Sequence, residues 1–368
     1  MKEKGEQVKI KDETSLYILG NGFDICLGMA SKYSDFFNSP EMMELYKLYK
    51  KERWSILKKN EDTNFFLAYL FSRKWYDPDW NVVEKQIIGY VIKTAKKYKI
   101  YIEEPVLDEI NKENSQKIVE NIEYLVKKIR QKQLEKEGEI LKKGQKIIQD
   151  LNWFEKSFGR YVENQTYEAK DMDEKLNEIF QLKKRGLRNI KIINFNYTSK
   201  VRKGLSDLMK SMIDVQNENF IEQINVHGNT ENPIFGIDIK EIEDVDDQIR
   251  EILNKLTKTA RVMAEDTISQ NWILPKEITD INFFGHSLSR SDYSYFQSIF
   301  DFYDIYSSKV RLNFLYNKNL EGSAERQHSS VMELMESYGK SLENKEKGKN
   351  LLHKMLLENR IKLLGLDV

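Results

Sequence analysis

Apolar residues along this chain gather into five short runs, Leu16–Leu19, Lys191–Phe195, Ile224–Val226, Ile281–Phe284 and Val310–Leu315. The first four stop at small or polar residues, namely Gly20-Asn21-Gly22, Asn196-Tyr197-Thr198, His227-Gly228-Asn229 and Gly285-His286-Ser287, and the fifth runs on to Tyr316-Asn317. Runs this short and this continuous are the pattern of strands buried on both faces. Between them the spacing turns helical: Val201, Leu205, Leu208 and Met212 form one stripe, and Ile242, Val245, Ile249, Ile252 and Leu256 another. Strands alternating with crossover helices predict an α/β fold, a Rossmann-like and mostly parallel sheet.

The stretch from residue 40 to residue 185 separates the first run from the second. That is far longer than one crossover needs, so 40–185 reads as an inserted helical domain. Within it Ile118, Ile122, Leu125 and Ile129 make an apolar stripe, and 131–150 is a lysine- and glutamate-rich solvated helix or hairpin. The expected organisation is a discontinuous nucleotide-binding core of 1–39 and 186–318, the insertion at 40–185, and a C-terminal helical segment at 319–368. In that last segment Gly322–Ser330 reads as a loop, and Leu351, Met355, Leu356 and Leu363 as one final amphipathic helix.

Composition adds limits. With 368 residues, 40% hydrophobic and 11% aromatic, the chain has enough apolar area to fold and is long enough for two domains. Lys plus Arg equals Asp plus Glu at 59 each, so no global field draws it to nucleic acid or to an anionic membrane. Cys26 is the single cysteine, which excludes an internal disulfide and a cysteine-based zinc ribbon and fits a reducing compartment. No run approaches the ~20 apolar residues of a membrane span. The N-terminus, Met1-Lys2-Glu3-Lys4, has no signal-peptide pattern. The expected location is cytoplasmic, with no membrane partner.

In an open parallel sheet, ligands bind beyond the carboxyl ends of the strands, and there this chain places its unusual residues. Gly20 and Gly22 permit a tight turn whose amides could face a phosphate beside a helix N-terminus; an ordinary strand-to-helix turn is the plainer reading. Asp24 reads as a cap for the next helix or a ribose contact. Asn194 and Asn196 straddle Phe195, which sends both to one face, where one holds a ribose hydroxyl or caps a helix in competition with Thr198. Two of the four histidines, His227 and His286, end strands. His227 is a general base near neutral pH or a hydrogen-bonded turn residue, His286 a ligand contact or a structural group, and Asp292 an N-cap or a ligand contact. No metal-ligand spacing and no P-loop motif occur, so no metal is expected. Ser287 beside a histidine hints at a hydrolase triad, but Ser289 replaces the last glycine of the nucleophile elbow.

Taken together these blocks resemble a known family. Leu16 to Asp24, then Gly28-Met29-Ala30 and Tyr33-Ser34-Asp35-Phe36, resemble the opening signature of the bacterial abortive-infection family AbiH. Trp80 with Glu84, Asn194 to Thr198, His227-Gly228-Asn229, and Phe284 to Leu288 with Asp292 agree with it in order. The same blocks are similar, more loosely, to sirtuin-type NAD-binding cores. That similarity implies a dinucleotide turn at Gly20-Asn21-Gly22, a ribose-holding Asn196, a base at His227 and a cofactor contact at Gly285-His286-Ser287. Two positions depart from it: Thr198 stands where an aspartate is expected and Asp24 where a serine is expected. The missing zinc module argues against protein deacylation.

The function expected from all this is anti-phage defence by an NAD hydrolase. Such an enzyme would cut the nicotinamide–ribose bond, with His227 and Asn196 as catalytic residues and Gly20, Asn21, Gly22, Asp24, Asn194, Thr198, Gly285, His286, Ser287 and Asp292 binding the nucleotide. A phage-derived trigger or partner protein and a homo-oligomer belong to the same picture. The rivals are a nucleotide-sensing module without turnover, and a nuclease using the lysine-rich stretches 183–191 or 125–147.

Overall fold

The computed structural model describes residues 11–51, 64–73, 83–96, 146–167, 171–198, 200–212, 221–237, 250, 253–264, 274–288 and 292–368. They fall into two compact units, one drawn from 1–45, 155–241 and 257–368 and the other from 46–154 and 242–256.

The larger unit is built on six strands: β1 (Lys11–Leu19), β2 (Arg188–Asn194), β3 (Ile221–Asn225), β4 (Asp280–Phe284), β5 (Arg311–Asn317) and β6 (Ile361–Leu366). They form one sheet in the order β3-β2-β1-β4-β5-β6, and every neighbouring pair is parallel. This is the α/β, Rossmann-like sheet that the apolar runs predict. Its helices include α1 (Asn21–Cys26), α2 (Lys200–Met212), α3 (Lys258–Ala264), α4 (Tyr293–Phe302), α5 (Ser323–Ser341) and α6 (Lys345–Leu357).

Leu16 to Leu19 read as a continuous apolar run because β1 is covered on both faces, and all four side chains are fully buried. Leu16 and Ile18 join Ile281, Phe283, Leu312 and Phe314 in a core closed by Phe296 and Phe300 of α4, Leu334 and Tyr338 of α5, and Leu351 and Met355 of α6. Tyr17 and Leu19 join Ile190, Ile192, Phe284 and Leu315 in a second core closed by Val201, Leu205 and Leu208 of α2 with Ile179 and Phe180. Register brings Phe283 opposite Phe314, and their rings stack at 4.6 Å.

Two readings of the C-terminal segment change. Ser323 to Ser330 is not loop but the start of the 19-residue α5, whose polar residues sit on its outer side. Leu363 belongs not to a last helix but to β6, an edge strand of half-exposed alternation that carries too little apolar signal to stand out. Asn359, at φ 53°, stops α6 in the left-handed conformation and releases the chain into that strand. The stripe at 118–129, the charged stretch up to 145 and most of 242–256 lie outside the described residues.

In the smaller unit the helices Phe65–Arg73 and Val83–Lys96 pack through Phe66, Tyr69 and Tyr90, and Phe154 meets Phe66 edge-on at 5.6 Å. Asn64 caps the first of these helices by accepting from Leu67 N at 2.8 Å, and its own amide donates to Asp150 O. Glu84 lies on the second helix, and Trp80 is outside the described residues. Among the described residues no helix is long and apolar enough to cross a membrane.

Candidate functional site at the carboxyl edge of the sheet

The chain enters at β1, winds outward through β2 and β3, and then crosses back to β4 on the other side of β1. The order therefore reverses between β1 and β4, and in open parallel sheets it is beyond the carboxyl ends of the strands at such a reversal that ligands commonly bind.

The loops leaving β1 and β4 are locked together backbone to backbone. Gly20 N donates to Phe284 O at 3.0 Å and Gly22 N to Gly285 O at 2.8 Å. A methyl group at Gly20 would fall 2.5 Å from His286 Cα, one at Gly22 2.7 Å from Gly285 Cα, and one at Gly285, whose φ is +70°, 2.3 Å from Phe23 N. The glycines are thus required by close approach of the two turns. The expectation that the amides of Gly20 and Gly22 face a phosphate meets a different arrangement, since both are already engaged with the β4 turn. Asn21 is exposed and exchanges hydrogen bonds with Ser31. Ser287 is exposed as well.

The asparagines at the end of β2 tie neighbouring loops. Asn194 Nδ2 donates to Thr198 O at 2.7 Å, and Asn196 Nδ2 donates to Gly20 O at 3.0 Å. Thr198 O also accepts from Asn225 Nδ2 at 3.0 Å. Asp24, expected as a helix cap, does not cap: it is the fourth residue of α1, whose N-cap is Gly20. Its buried carboxylate instead accepts from Thr198 Oγ1 at 3.0 and 3.1 Å and from Tyr167 OH at 3.1 Å. Burial, and then that carboxylate, push the Tyr167 phenol up from its ordinary range.

Beside this lies a buried ionic cluster. Asp292 occupies the N-cap position of α4, yet it makes no capping bond there. Its Oδ1 lies 3.1 Å from His227 Nε2 and accepts from Lys258 Nζ at 2.8 Å, and its Oδ2 lies 3.5 Å from His286 Nε2. The four side chains are 5% to 11% exposed. Burial by itself raises the Asp292 carboxyl, but the Lys258 ammonium and the two histidines outweigh it and hold the group well below the usual carboxylate range. Phe195 packs against both imidazoles, meeting His227 edge-on at 5.3 Å and His286 at 4.6 Å.

Each histidine is set by its turn. Gly228, at φ +76°, folds so tightly after His227 that a methyl group there would fall 2.0 Å from Asn232 O. His286 Nδ1 accepts the N–H of Leu288 at 2.9 Å, so its proton sits on Nε2 and faces Asp292. Leu288 is held at φ 56°, a left-handed conformation costing a branched residue about 1–2 kcal/mol, and its side chain is anchored in the core.

His227, Asn196, Asp24, Thr198, Asn194, Gly20, Gly22, Gly285, His286 and Asp292 therefore form one contiguous set, while Asn21 and Ser287 stand at its exposed margin. Lys258 and Tyr167 are members that no motif in the chain marks, because a lysine outside any motif defaults to the surface and a tyrosine carries no positional signal. The basic stretch 183–191 is largely paired internally: Lys184 with Glu178, Arg185 with Asp280 and Lys191 with Glu222, while Arg188 is buried. Residues 125–145 lie outside the described ones. Among the described residues no group of three or more His, Cys, Asp or Glu side chains is placed to hold a metal ion.

No curated protein and no solved structure matches the chain. A family model does, over residues 16–316, which span every element of this site, and the chain accordingly belongs to the bacteriophage abortive infection AbiH family.

Proposed function

We propose that this protein is an anti-phage abortive-infection enzyme that hydrolyses a nucleotide at an N-glycosidic bond, with NAD and its nicotinamide–ribose bond as the substrate. The family supports the defence role. The observation that carries the chemistry is the pairing of His227 Nε2 with Asp292 Oδ1 at 3.1 Å, at the edge of the sheet where the strand order reverses. With its Nε2 proton directed at Asp292, the neutral imidazole carries its basic lone pair on Nδ1. In the reaction the bond from C1′ of the ribose to nicotinamide breaks with its electron pair leaving on nicotinamide. A water oxygen bonds to C1′, and the proton it loses passes to His227. Asn196 Oδ1 is the acceptor assigned to a ribose hydroxyl.

A second observation supports the nucleotide reading. The two positions that depart from the sirtuin-like pattern, Asp24 and Thr198, touch through the Thr198 hydroxyl and the Asp24 carboxylate. Hydroxyl and carboxylate have traded places in the chain, and the buried Asp24 carboxylate meets Thr198, whose carbonyl accepts from Asn194. The pyrophosphate falls to groups other than the amides of Gly20 and Gly22.

The test follows nicotinamide release from NAD by the purified protein, in wild type and in His227→Ala, Asp292→Asn and Asn196→Ala. Release that falls at least about a hundredfold in His227→Ala is the expected result for loss of a general base. Binding of NAD with no release would select a nucleotide-sensing module instead, and equal release by all variants would remove the assignment of His227.

A further inference from the structure

His227 and Lys258 reach the same oxygen. In an isolated aspartate–histidine pair the carboxylate stabilises the imidazolium and lifts the histidine's titration. Here Asp292 Oδ1 also accepts from the Lys258 ammonium, which is closer, at 2.8 Å against 3.1 Å. Lys258 and His227 are 7% and 5% exposed at the side chain, so the charges meet in a poorly screened interior. A proton added to His227 therefore meets the Lys258 ammonium across the one oxygen that both side chains share.

His286 is held differently, with its Nδ1 engaged by the backbone N–H of Leu288. The charged or titratable side chains around His227 include Asp292 and Tyr295 from α4, with Lys258 from α3 and His286 from the β4 turn on the same carboxylate, and the end of β2 contributes the apolar Phe195. Lys258 is fixed in place by its backbone. Its N–H donates to Ile237 O at 3.0 Å, next to the bridge between Ile237 and Thr257, so the start of α3 is tied to the segment that follows His227.

We propose that Lys258 is a positioning residue that occupies the Asp292 carboxylate and thereby keeps His227 in its neutral, basic form. The cluster then operates as a Lys258–Asp292–His227 relay of contacts, with His286 as a fixed donor at its side. The inference rests on the reading of His227 as the base, and it accounts for a buried lysine that no motif in the chain announces.

The experiment is a side-chain 15N NMR titration of the histidines in the full chain. There are four, and the His227 signal is assigned by its loss in His227→Gln. Lys258→Met is expected to raise the His227 midpoint by about one pH unit or more, since Asp292 then pairs with the imidazole alone. Lys258→Arg, which restores the charge, is expected to return it toward the wild-type value. The acid limb of nicotinamide release should shift with the midpoint. If Lys258→Met does not fold, Lys258→Gln, which keeps a donor to the carboxylate without the charge, gives the same reading. A midpoint that stays or falls in a folded neutral variant overturns the proposal. Because the titration needs no substrate, that failure is distinct from failure of the NAD assignment, which the release assay reads by itself.

Discussion

Replacing Gly285 by alanine should break the frame of the site before touching its chemistry. The position has φ +70°, and a residue with a Cβ pays about 1–2 kcal/mol for that conformation. The added methyl would also sit 2.3 Å from Phe23 N and 2.6 Å from Gly22 C, where ordinary contact begins at 3.4 Å. Relief requires the β4 turn and α1 to part by about an ångström. The bonds from Gly20 N to Phe284 O and from Gly22 N to Gly285 O, at 3.0 and 2.8 Å, resist that movement. Losing one and leaving its donor unsatisfied costs about 1–3 kcal/mol. Together the terms give about 2–5 kcal/mol, a large share of the stability of an ordinary domain. Gly28 supplies the control, since it has a similar φ of 82° but is exposed, so Gly28→Ala pays the backbone cost without the collision. Urea unfolding followed by circular dichroism compares the two. If Gly285→Ala proves no less stable than Gly28→Ala, the interlocked turns are not what the glycine is for.

Three further outcomes follow from other parts of the fold. Asp280 is pushed up by burial but pulled down further by Arg311, Arg185 and Thr279, to about 2. Its folded value lies below the unfolded one, so its contribution is present above the ordinary carboxylate range and is lost as pH falls toward about 2; the drop in urea midpoint over that window should be smaller in Asp280→Asn. Gly339 and Gly348 meet where α5 and α6 cross, and a methyl at Gly348 would fall 2.0 Å from Gly339 O, so Gly348→Ala should lower the melting temperature although alanine gains about 1 kcal/mol in an open helix. Arg188 is fully buried and donates to Ser15 Oγ, Tyr17 OH, Gly186 O and Phe180 O; Arg188→Met strands these partners and should cost about 3 kcal/mol or more in the same urea assay.

Much of the sheet was legible because its strands are doubly buried. Leu16 to Leu19 and Ile281 to Phe284, Asn282 included, have no exposed side to confuse the pattern with an amphipathic helix, and the small residues after them mark where the backbone must turn. The edge strand β6 was not legible, because Lys362 and Leu363 are half exposed and the run blends into the stripe of α6. The site was legible in its members but not in their partners. His227, His286 and Asp292 stand out by type and position, yet local sequence makes Asp24 and Asp292 look like helix caps. In the folded chain each turns its carboxylate to groups far away in number, Asp24 to Thr198 and Tyr167, Asp292 to Lys258 and His227. Such pairings are decided by tertiary geometry, and spacing along the chain carries no trace of them.

The family match stops at residue 316, but the globule does not. Leu312 and Phe314 of β5 are fully enclosed by a core to which Val331, Leu334, Met335 and Tyr338 of α5, Leu351 and Met355 of α6 and Ile361 of β6 all belong. A version of the protein trimmed at the family boundary would strip that cover and leave β5 as a greasy open edge, prone to stick to other copies. Anyone expressing this protein for assay should therefore carry the tail through Leu366, and a failure of the shortened form would say nothing about the chemistry of His227.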